Sequence, residues 1–164
     1  MRIFKIVFVL LALSIVASCG SKFKRYNGPE VTRIFVYKEQ RKMLLMNNST
    51  ILETYDFDLG FAPVGDKEIE GDGKTPEGNY FIDRRNPNSK FHLSLGITYH
   101  KAEDRAAAKA LGKPPGGDIF IHGRGPLIKK PKADWTWGCI AVKDREIETI
   151  YAMVKNGTPI TILP

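Results

Sequence analysis

The stretch Asp118-Ile-Phe-Ile-His-Gly, joined by a basic loop to Asp134-Trp-Thr-Trp-Gly-Cys-Ile-Ala-Val, decides the fold of this chain. It contains two short apolar runs, one before the histidine and one after the cysteine, and such runs beside glycines are typical of buried strands. His122 lies where the first run ends, and Cys139 lies directly before the second. The segment therefore places one histidine and one cysteine at the ends of two predicted strands.

His122 and Cys139 are a candidate base and a candidate nucleophile. A thiol is nucleophilic only as the thiolate, and its ordinary pKa is about 8.5, so an adjacent imidazole is the usual activator near neutral pH. Gly138 lets the backbone turn sharply before the cysteine, and the N–H groups of Gly138 and Cys139 can then face an oxyanion. The alternative stays open that both side chains are structural, because a lone cysteine in an apolar strand is usually a small core residue.

These residues resemble the signature of the L,D-transpeptidase catalytic domains, also called YkuD-like domains. That signature is His-Gly, a loop of mid-teens length, and Ser/Thr-x-Gly-Cys followed by a hydrophobic residue. Here it is His122-Gly123 and Thr136-Trp-Gly-Cys-Ile140, with sixteen residues between the histidine and the cysteine. The x position is commonly His and an Arg commonly follows the hydrophobic residue, whereas this chain has Trp137 and Ala141.

A second match lies far from the first. The stretch Gly71-Asp-Gly-Lys-Thr-Pro-Glu-Gly-Asn-Tyr80 resembles the Gly-Asp…Thr-Pro-Glu-Gly-x-Tyr element of the same family. Its Thr-Pro-Glu-Gly part has the chemistry of a turn, since Pro fixes φ and Gly tolerates a positive φ. The resemblance implies that this element forms a wall of the substrate cleft, and it extends the match over roughly residues 30–164.

The resemblance implies a cysteine acyltransferase of cell wall biogenesis or remodelling, with a bearing on cell shape. The substrate is the peptidoglycan stem peptide, the acceptor is an amine, and neither a metal nor an organic cofactor is needed. The residues implied are Cys139 (nucleophile), His122 (general base and acid), Gly138 and Cys139 (oxyanion N–H groups), and Gly123, Thr136 and Trp137 (substrate contacts).

Outside these motifs, short β-rich runs alternate with turns. Strands are predicted within residues 30–38, 43–46, 51–59, 80–83, 91–99, 118–121, 140–142 and 160–163. An Ala-rich helix is predicted over residues 101–111, and a second, capped by Asp144 and ended by Gly157, carries one apolar face. We therefore expect a mainly β fold, a β-sandwich of mixed sheets with one or two short helices, and the YkuD-like resemblance implies the same.

The N-terminus predicts export. Arg2 and Lys5 precede an apolar run, residues 6–16, that is too short to span a bilayer comfortably and is typical of a signal peptide. The run ends Val-Ala-Ser-Cys19, which resembles a bacterial lipoprotein signal with Cys19 as the lipidated residue. The domains expected are a signal peptide (1–18), a short linker (19–29) and a catalytic domain (30–164). A plain signal peptide with a chance cysteine is the alternative.

Lipidation of Cys19 leaves Cys139 as a free thiol in an oxidising compartment, which favours reactivity over packing. The residue after Cys19 is Gly20, whereas an acidic residue at this position retains enteric lipoproteins at the inner membrane. The resemblance to lipoprotein signals therefore implies a lipid anchor in the outer membrane, facing the periplasm. The net charge of +7 falls by the two charges of Arg2 and Lys5 to +5 after cleavage. An anionic cell-wall polymer or lipid surface suits this charge better than nucleic acid does.

Three functions stay open at this point: a transpeptidase, a hydrolase on the same site, and a non-catalytic wall-binding lipoprotein with a structural cysteine. An activated Cys139 is expected to react with iodoacetamide well below pH 8.5. The lysines between the catalytic pair, Lys129, Lys130 and Lys132, form either a solvated loop face or a basic rim that attracts stem-peptide carboxylates. The spacing of the histidines predicts no zinc site, and the oligomeric state is left open.

Overall fold

The computed structural model describes residues 21–164, so the predicted signal peptide and Cys19 lie outside the described residues. Within that range, none of the helices has the length and apolarity needed to cross a bilayer. Each predicted strand and helix has a counterpart. The elements are β1 (Arg33–Tyr37), β2 (Lys42–Asn47), β3 (Thr50–Asp56), β4 (Gly78–Asn86), β5 (Ser94–Ile97), α1 (Ala102–Ala110), β6 (Phe120–His122), β7 (Ile140–Ala141), α2 (Asp144–Met153) and β8 (Pro159–Leu163).

The strands form a mixed sheet in the order β3-β2-β1-β8-β4-β5-β6-β7. The pairs β1–β8 and β6–β7 are parallel, and the other neighbours are antiparallel. Strand β4 joins two halves of the sheet, because its first part pairs with β8 and its second part with β5, with a register irregularity between Ile82 and Arg84. Such an irregularity bends a strand and lets the sheet curl. The prediction of a mainly β fold with one or two short helices is confirmed, and the predicted sandwich of mixed sheets takes the form of one curled, eight-stranded mixed sheet with two helices.

The core lies between the sheet and α2. Inward-facing positions of the strands alternate with outward ones, as Ile34 and Val36 of β1 show by being fully buried. Helix α2 places Ile147, Ile150 and Tyr151 against the sheet, which is the apolar face that its sequence predicts. This packing fixes the far side of the two strands that carry the histidine and the cysteine.

The start of α2 differs from the prediction. Lys143 is the N-cap, and its backbone N–H donates to the Glu146 carboxylate at 2.8 Å. Asp144, predicted as the cap, is instead the first helical residue, and its Oδ1 accepts the N–H groups of Arg124 at 2.7 Å and Gly125 at 2.9 Å. The carboxylate thus satisfies loop donors rather than helix donors, and it ties the loop after His122 to the helix.

The segment before β1 is laid against the domain from residue 21 onward. Lys24 Nζ donates to Thr149 Oγ1 of α2 at 2.9 Å, and the Phe23 ring lies 6.4 Å from the Tyr151 ring. Composition predicts a linker over residues 19–29, but it cannot show that Lys24 finds acceptors on α2 and Lys22 finds acceptors on the loop after β4. The described part of this segment therefore contacts the domain through Lys22, Phe23 and Lys24.

Candidate active site

The register of β6 and β7 brings the histidine and the cysteine together. Ile121 lies opposite Ile140 and His122 opposite Ala141, so Cys139, one residue before β7, lies beside Phe120. Side chains alternate along a strand, and those of Cys139 and His122 therefore project from the same face of the sheet. Both side chains line one cavity of about 220 Å³. Its other lining residues are Asn86, Ser89, Lys90, Phe91, Ser94 and Phe120. Two larger recesses, of about 700 and 290 Å³, contain neither residue of the pair.

His122 is held as a neutral base. Its side chain is buried, and Nδ1 lies 2.5 Å from the carbonyl oxygen of Gly123, which can only accept a hydrogen bond. Nδ1 therefore carries the proton, and the Nε2 lone pair is left free. Burial also lowers the pKa of His122, because a charged imidazole is poorly solvated there. The ring is therefore neutral at neutral pH and ready to accept a proton.

Two aromatic rings pack against His122, and the sequence alone identifies neither of them as its neighbour. The Phe91 ring stacks on the imidazole with centroids 4.5 Å apart and an interplanar angle of 29°. The Trp135 ring stands edge-on to it, at 5.8 Å and 73°. Trp135 lies within the cysteine motif and could have been noticed there, whereas no local sequence pattern identifies Phe91.

The turn that carries Cys139 is held by hydroxyl groups. Thr136 Oγ1 donates to the carbonyl oxygen of Cys139 at 2.7 Å, and Thr75 Oγ1 donates to that of Gly138 at 2.8 Å. Gly138 has a φ of 120°, and a Cβ there would lie 2.5 Å from the Lys74 carbonyl oxygen. The turn therefore requires glycine for both conformation and space. Thr75 belongs to the second family motif, so the two motifs meet at the nucleophile.

Thr136 is not open to a substrate. It is buried, and its hydroxyl both donates to Cys139 and accepts the Gly138 N–H at 3.2 Å. This places the Gly138 N–H, expected from the sequence to face an oxyanion, inside the turn instead. The Cys139 N–H is the donor that remains from the predicted pair.

The surroundings of Cys139 favour the protonated thiol. Burial raises the pKa of Cys139, and the hydrogen bond from the Phe120 backbone and the charge of Lys67 offset this only in part. A thiol with a raised pKa beside an imidazole with a lowered pKa is a neutral pair rather than an ion pair. Reaction of Cys139 with iodoacetamide well below pH 8.5 stays a prediction. The arrangement is suited to moving the proton during attack.

The remaining predicted contacts fall into two kinds. Gly123 is packed from all sides, since a Cβ there would lie 2.5 Å from Asp144 Oδ1 and 2.8 Å from the Phe91 carbonyl oxygen. Trp137 is 73 % exposed and lies edge-on against the Phe61 ring, at 5.1 Å, which excludes core packing for this side chain. Trp137 and Phe61 thus form an exposed aromatic pair two residues from the nucleophile.

The other histidines and the basic loop lie apart from the pair. His92 Nε2 is 2.9 Å from Glu148 Oε1, and His100 contacts Arg105. In the part of the chain that the structure describes, no group of three or more His, Cys, Asp or Glu side chains is placed to hold a metal ion. Three lysines of the loop between the pair, Lys129, Lys130 and Lys132, are exposed.

Comparisons with known proteins agree with this geometry. The family model of the YkuD L,D-transpeptidase catalytic domain matches residues 31–162. YafK of Escherichia coli K12, provisionally named an L,D-transpeptidase, is 28 % identical over 130 residues, which are 76 % of this chain and 47 % of YafK.

Solved structures also resemble this chain over most of its length. The helical cell shape determining protein Pgp2 of Campylobacter jejuni has a TM-score of 0.62 and 26 % identity, covering 84 % of this chain and 49 % of Pgp2. Bd1075 of Bdellovibrio bacteriovorus has a TM-score of 0.58 and 27 % identity, covering 86 % of this chain and 50 % of Bd1075. The chain spans about half the length of these relatives. Since the family model covers most of the chain, this protein belongs to the YkuD family of L,D-transpeptidase catalytic domains.

Proposed function

We propose that this protein is a cysteine-dependent L,D-transpeptidase that acts on peptidoglycan stem peptides. The observation that carries the proposal is the pairing of β6 with β7, which places Cys139 and His122 on one face of the sheet and in one cavity. The hydrogen bond from His122 Nδ1 to the Gly123 carbonyl supports the role of His122 as the base. Family membership supports the reaction class.

The acyl-enzyme forms in two steps. His122 Nε2 accepts the thiol proton while Cys139 Sγ attacks the carbonyl of an L-centre residue, expected to be meso-diaminopimelate, in a tetrapeptide stem. The Cys139 N–H stabilises the oxyanion. The C–N bond to the terminal D-alanine then breaks, the His122 imidazolium protonates the leaving amine, and a thioester remains on Cys139.

An amine acceptor completes the transfer. It attacks the thioester and gives its proton to His122, a new amide bond forms, and the imidazolium returns a proton to the thiolate of Cys139. Which acceptor reacts depends on whether an amine is bound beside the thioester before water arrives. Trp137 lies two residues from Cys139 and forms an exposed aromatic pair with Phe61. This pair is our candidate for the group that shields the thioester from water.

Hydrolysis by the same site is the second candidate function. Cys139 is half-buried rather than enclosed, so water has a route to the thioester. An L,D-carboxypeptidase or endopeptidase would use the same nucleophile and base up to the acyl-enzyme. A non-catalytic wall-binding lipoprotein is the third and least supported, because the matching family model is that of a catalytic domain and one cavity contains both His122 and Cys139.

Reaction products separate these functions. Residues 20–164 are incubated with purified tetrapeptide muropeptides and a large excess of a D-amino acid, with Cys139→Ala as the control, and products are identified by mass. We expect exchange of the terminal D-alanine or L,D-cross-linked dimers in the wild type only. Accumulation of tripeptides at every acceptor concentration would assign the protein as a hydrolase, and intact substrate throughout would leave the wall-binding function.

We also propose that Cys19 is lipidated and holds the domain at the outer membrane, facing the periplasm. The Val-Ala-Ser-Cys19 sequence after a basic, apolar leader supports this. Replacement of Cys19 by Ser is expected to release the protein into the periplasmic fraction, and mass spectrometry of the mature wild type should find acyl chains on Cys19. A mature N-terminus that begins at another residue and lacks lipid contradicts the anchor. The naming of Pgp2 for helical cell shape makes cell shape a suitable phenotype to score in a deletion strain.

A further inference from the structure

We propose that Phe91 is a positioning residue for His122, carried by a loop (residues 87–93) that the chain locks against the His-Gly turn. The proposal rests on the proposed function, because it concerns how the base is held for proton transfer. The loop joins β4 to β5, and Ser94 at the start of β5 pairs with His122. Sheet register therefore brings the residues just before Ser94 close to His122.

The contact itself is flat and close. Ring centroids of Phe91 and His122 are 4.5 Å apart at an interplanar angle of 29°, and the Phe91 ring also contacts Trp135 at 5.9 Å. Phe91 keeps 37 % of its surface exposed, so only part of its ring packs against the protein. Its aromatic packing partners are the rings of His122 and Trp135, which also contact each other.

Two glycines after the base let the loop approach. Gly125 has a φ of 68°, and a Cβ there would lie 2.4 Å from the Lys90 carbonyl oxygen and 2.9 Å from the Phe91 Cα. Gly123 is also close, with a Cβ 2.8 Å from the Phe91 carbonyl oxygen. The family motif explains Gly123 but not Gly125. Gly125 leaves the space that the backbone of Lys90 and Phe91 occupies.

The opposite side of the loop is tied by the segment before β1. Lys22 Nζ donates to the carbonyl oxygens of Pro87 at 2.6 Å and His92 at 3.2 Å, which closes the two ends of the loop. His92 has a φ of 77°, and its Nε2 lies 2.9 Å from Glu148 of α2. The loop is therefore held from two directions while its Phe91 ring faces the imidazole.

This arrangement fixes the ring without using Nε2. A hydrogen-bonding neighbour on that side would compete for the lone pair, whereas an aromatic face offers no acceptor or donor of comparable strength. The same face attracts the imidazolium that forms when the thiol proton arrives. Phe91 therefore favours the one ring orientation in which Nδ1–H donates to the Gly123 carbonyl oxygen, and that hydrogen bond sets the tautomer.

The test uses the ring nitrogens of His122 and does not depend on a substrate. In the full domain labelled with ¹⁵N-histidine, the wild type and Phe91→Tyr are expected to show a single tautomer with Nδ1 protonated. Phe91→Leu is expected to show averaged ring shifts, because the imidazole exchanges between orientations. A single unchanged tautomer in Phe91→Leu overturns the proposal.

Kinetics supply the second readout. Phe91→Leu is expected to lower kcat on the order of tenfold with KM within about twofold, since small misplacements of a catalytic group are costly. Phe91→Tyr is expected to keep the kcat of the wild type, because it keeps the aromatic ring. An equal loss in both variants, or a loss confined to KM, contradicts positioning and indicates a contact with the substrate instead.

A glycine pair tests the loop rather than the ring. Gly125→Ala should displace Lys90 and Phe91 and reproduce the averaged shifts, while Gly117→Ala, whose Cβ would meet nothing within 4 Å, should leave the tautomer unchanged. An unperturbed tautomer in Gly125→Ala contradicts the role of the loop. If the wild type makes no product from muropeptides but Phe91→Leu frees the ring, the positioning stands and the proposed function fails.

Discussion

The proposed base and the proposed nucleophile of this site are held in two different ways. His122 packs in one cluster with the rings of Phe91 and Trp135 and makes one hydrogen bond, through Nδ1. The turn of Cys139 is fixed by hydroxyl-to-backbone hydrogen bonds from Thr136 and Thr75.

The difference follows from what each group must do. The nucleophile needs a backbone N–H and a sulfur atom aimed in fixed directions, and hydrogen bonds to its carbonyl groups set both. The base must gain and lose a proton without moving, so its neighbours have to restrain the ring and leave Nε2 alone. Aromatic faces meet that requirement, and they tolerate both the neutral and the charged ring.

Removal of either catalytic side chain gives the largest expected effect. Cys139→Ala and His122→Ala should each abolish essentially all turnover, and the double variant should be no worse than either single one. Members of one catalytic unit are non-additive in this way. Turnover numbers for exchange of the terminal D-alanine provide the measurement. Substantial activity in Cys139→Ala would end the nucleophile assignment, and multiplied losses would show two independent roles.

The turn of the nucleophile can be broken by one methyl group. In Gly138→Ala the new Cβ meets the Lys74 carbonyl oxygen at 2.5 Å, while Gly71→Ala also has a positive φ but meets nothing within 4 Å. Both variants carry the left-handed penalty of about 1–2 kcal/mol. Gly138→Ala should lose a further 1–3 kcal/mol or so of unfolding free energy through overpacking, together with most activity.

Denaturant unfolding and turnover of the two glycine variants, measured side by side, isolate the close approach. Equal stability losses in both would mean that the turn has room for a Cβ and is held only by its dihedral angle. Full activity in Gly138→Ala would mean that the hydroxyl-held turn does not set the position of the thiol.

The burial of His122 predicts that the free energy of unfolding depends on pH. Burial lowers the pKa of His122 below its ordinary 6.5, so the unfolded chain takes up this proton before the folded protein does. The stability contributed by neutral His122 is therefore complete above about pH 6.5 and is lost as pH falls toward the lowered pKa.

The comparison with His122→Gln isolates this group, because the other titrating side chains are common to both proteins. Unfolding free energy should fall more steeply between pH 7 and pH 5 in the wild type than in the variant. Parallel curves would mean that the base titrates with its ordinary pKa, and a steeper fall in the variant would contradict the burial argument.

The smallest effect on stability is expected at the exposed aromatic pair. Trp137→Ala should change the unfolding free energy by less than about 0.5 kcal/mol, as surface substitutions usually do. Its consequence should instead be chemical, with a lower ratio of exchange to hydrolysis because water reaches the thioester more easily. Phe81→Ala, at a 52 % exposed phenylalanine of β4, is the matched control and should leave the ratio unchanged. An unchanged ratio in Trp137→Ala removes the shielding role.

The sequence predicts the nucleophile's side of the site better than the base's. Thr136, Gly138 and Cys139 are close along the chain, so one motif contains most of the turn, and the second motif supplies Thr75. The short strands and the apolar face of α2 also follow from local periodicity. The motif cannot show the direction of a hydroxyl, so it predicts a Gly138 N–H that faces an oxyanion, whereas in the fold Thr136 Oγ1 accepts this N–H.

The base's neighbours depend on sheet register, which no local pattern specifies. Phe91 reaches His122 because Ser94 pairs with His122 across β5 and β6, and because Gly125 makes room for the loop. The sequence predicts Asp144 as a helix cap because its partners in the structure, the N–H groups of Arg124 and Gly125, become its neighbours only in the folded chain.

Direct detection of the acyl-enzyme tests the central claim. The domain is mixed rapidly with a tetrapeptide stem and quenched in acid, its intact mass is measured, and a digest locates the adduct. We predict a mass increase equal to the tripeptide acyl group, carried by the peptide that contains Cys139 and absent from Cys139→Ala. Formation of product with no adduct on Cys139, or with an adduct on another residue, would contradict the account.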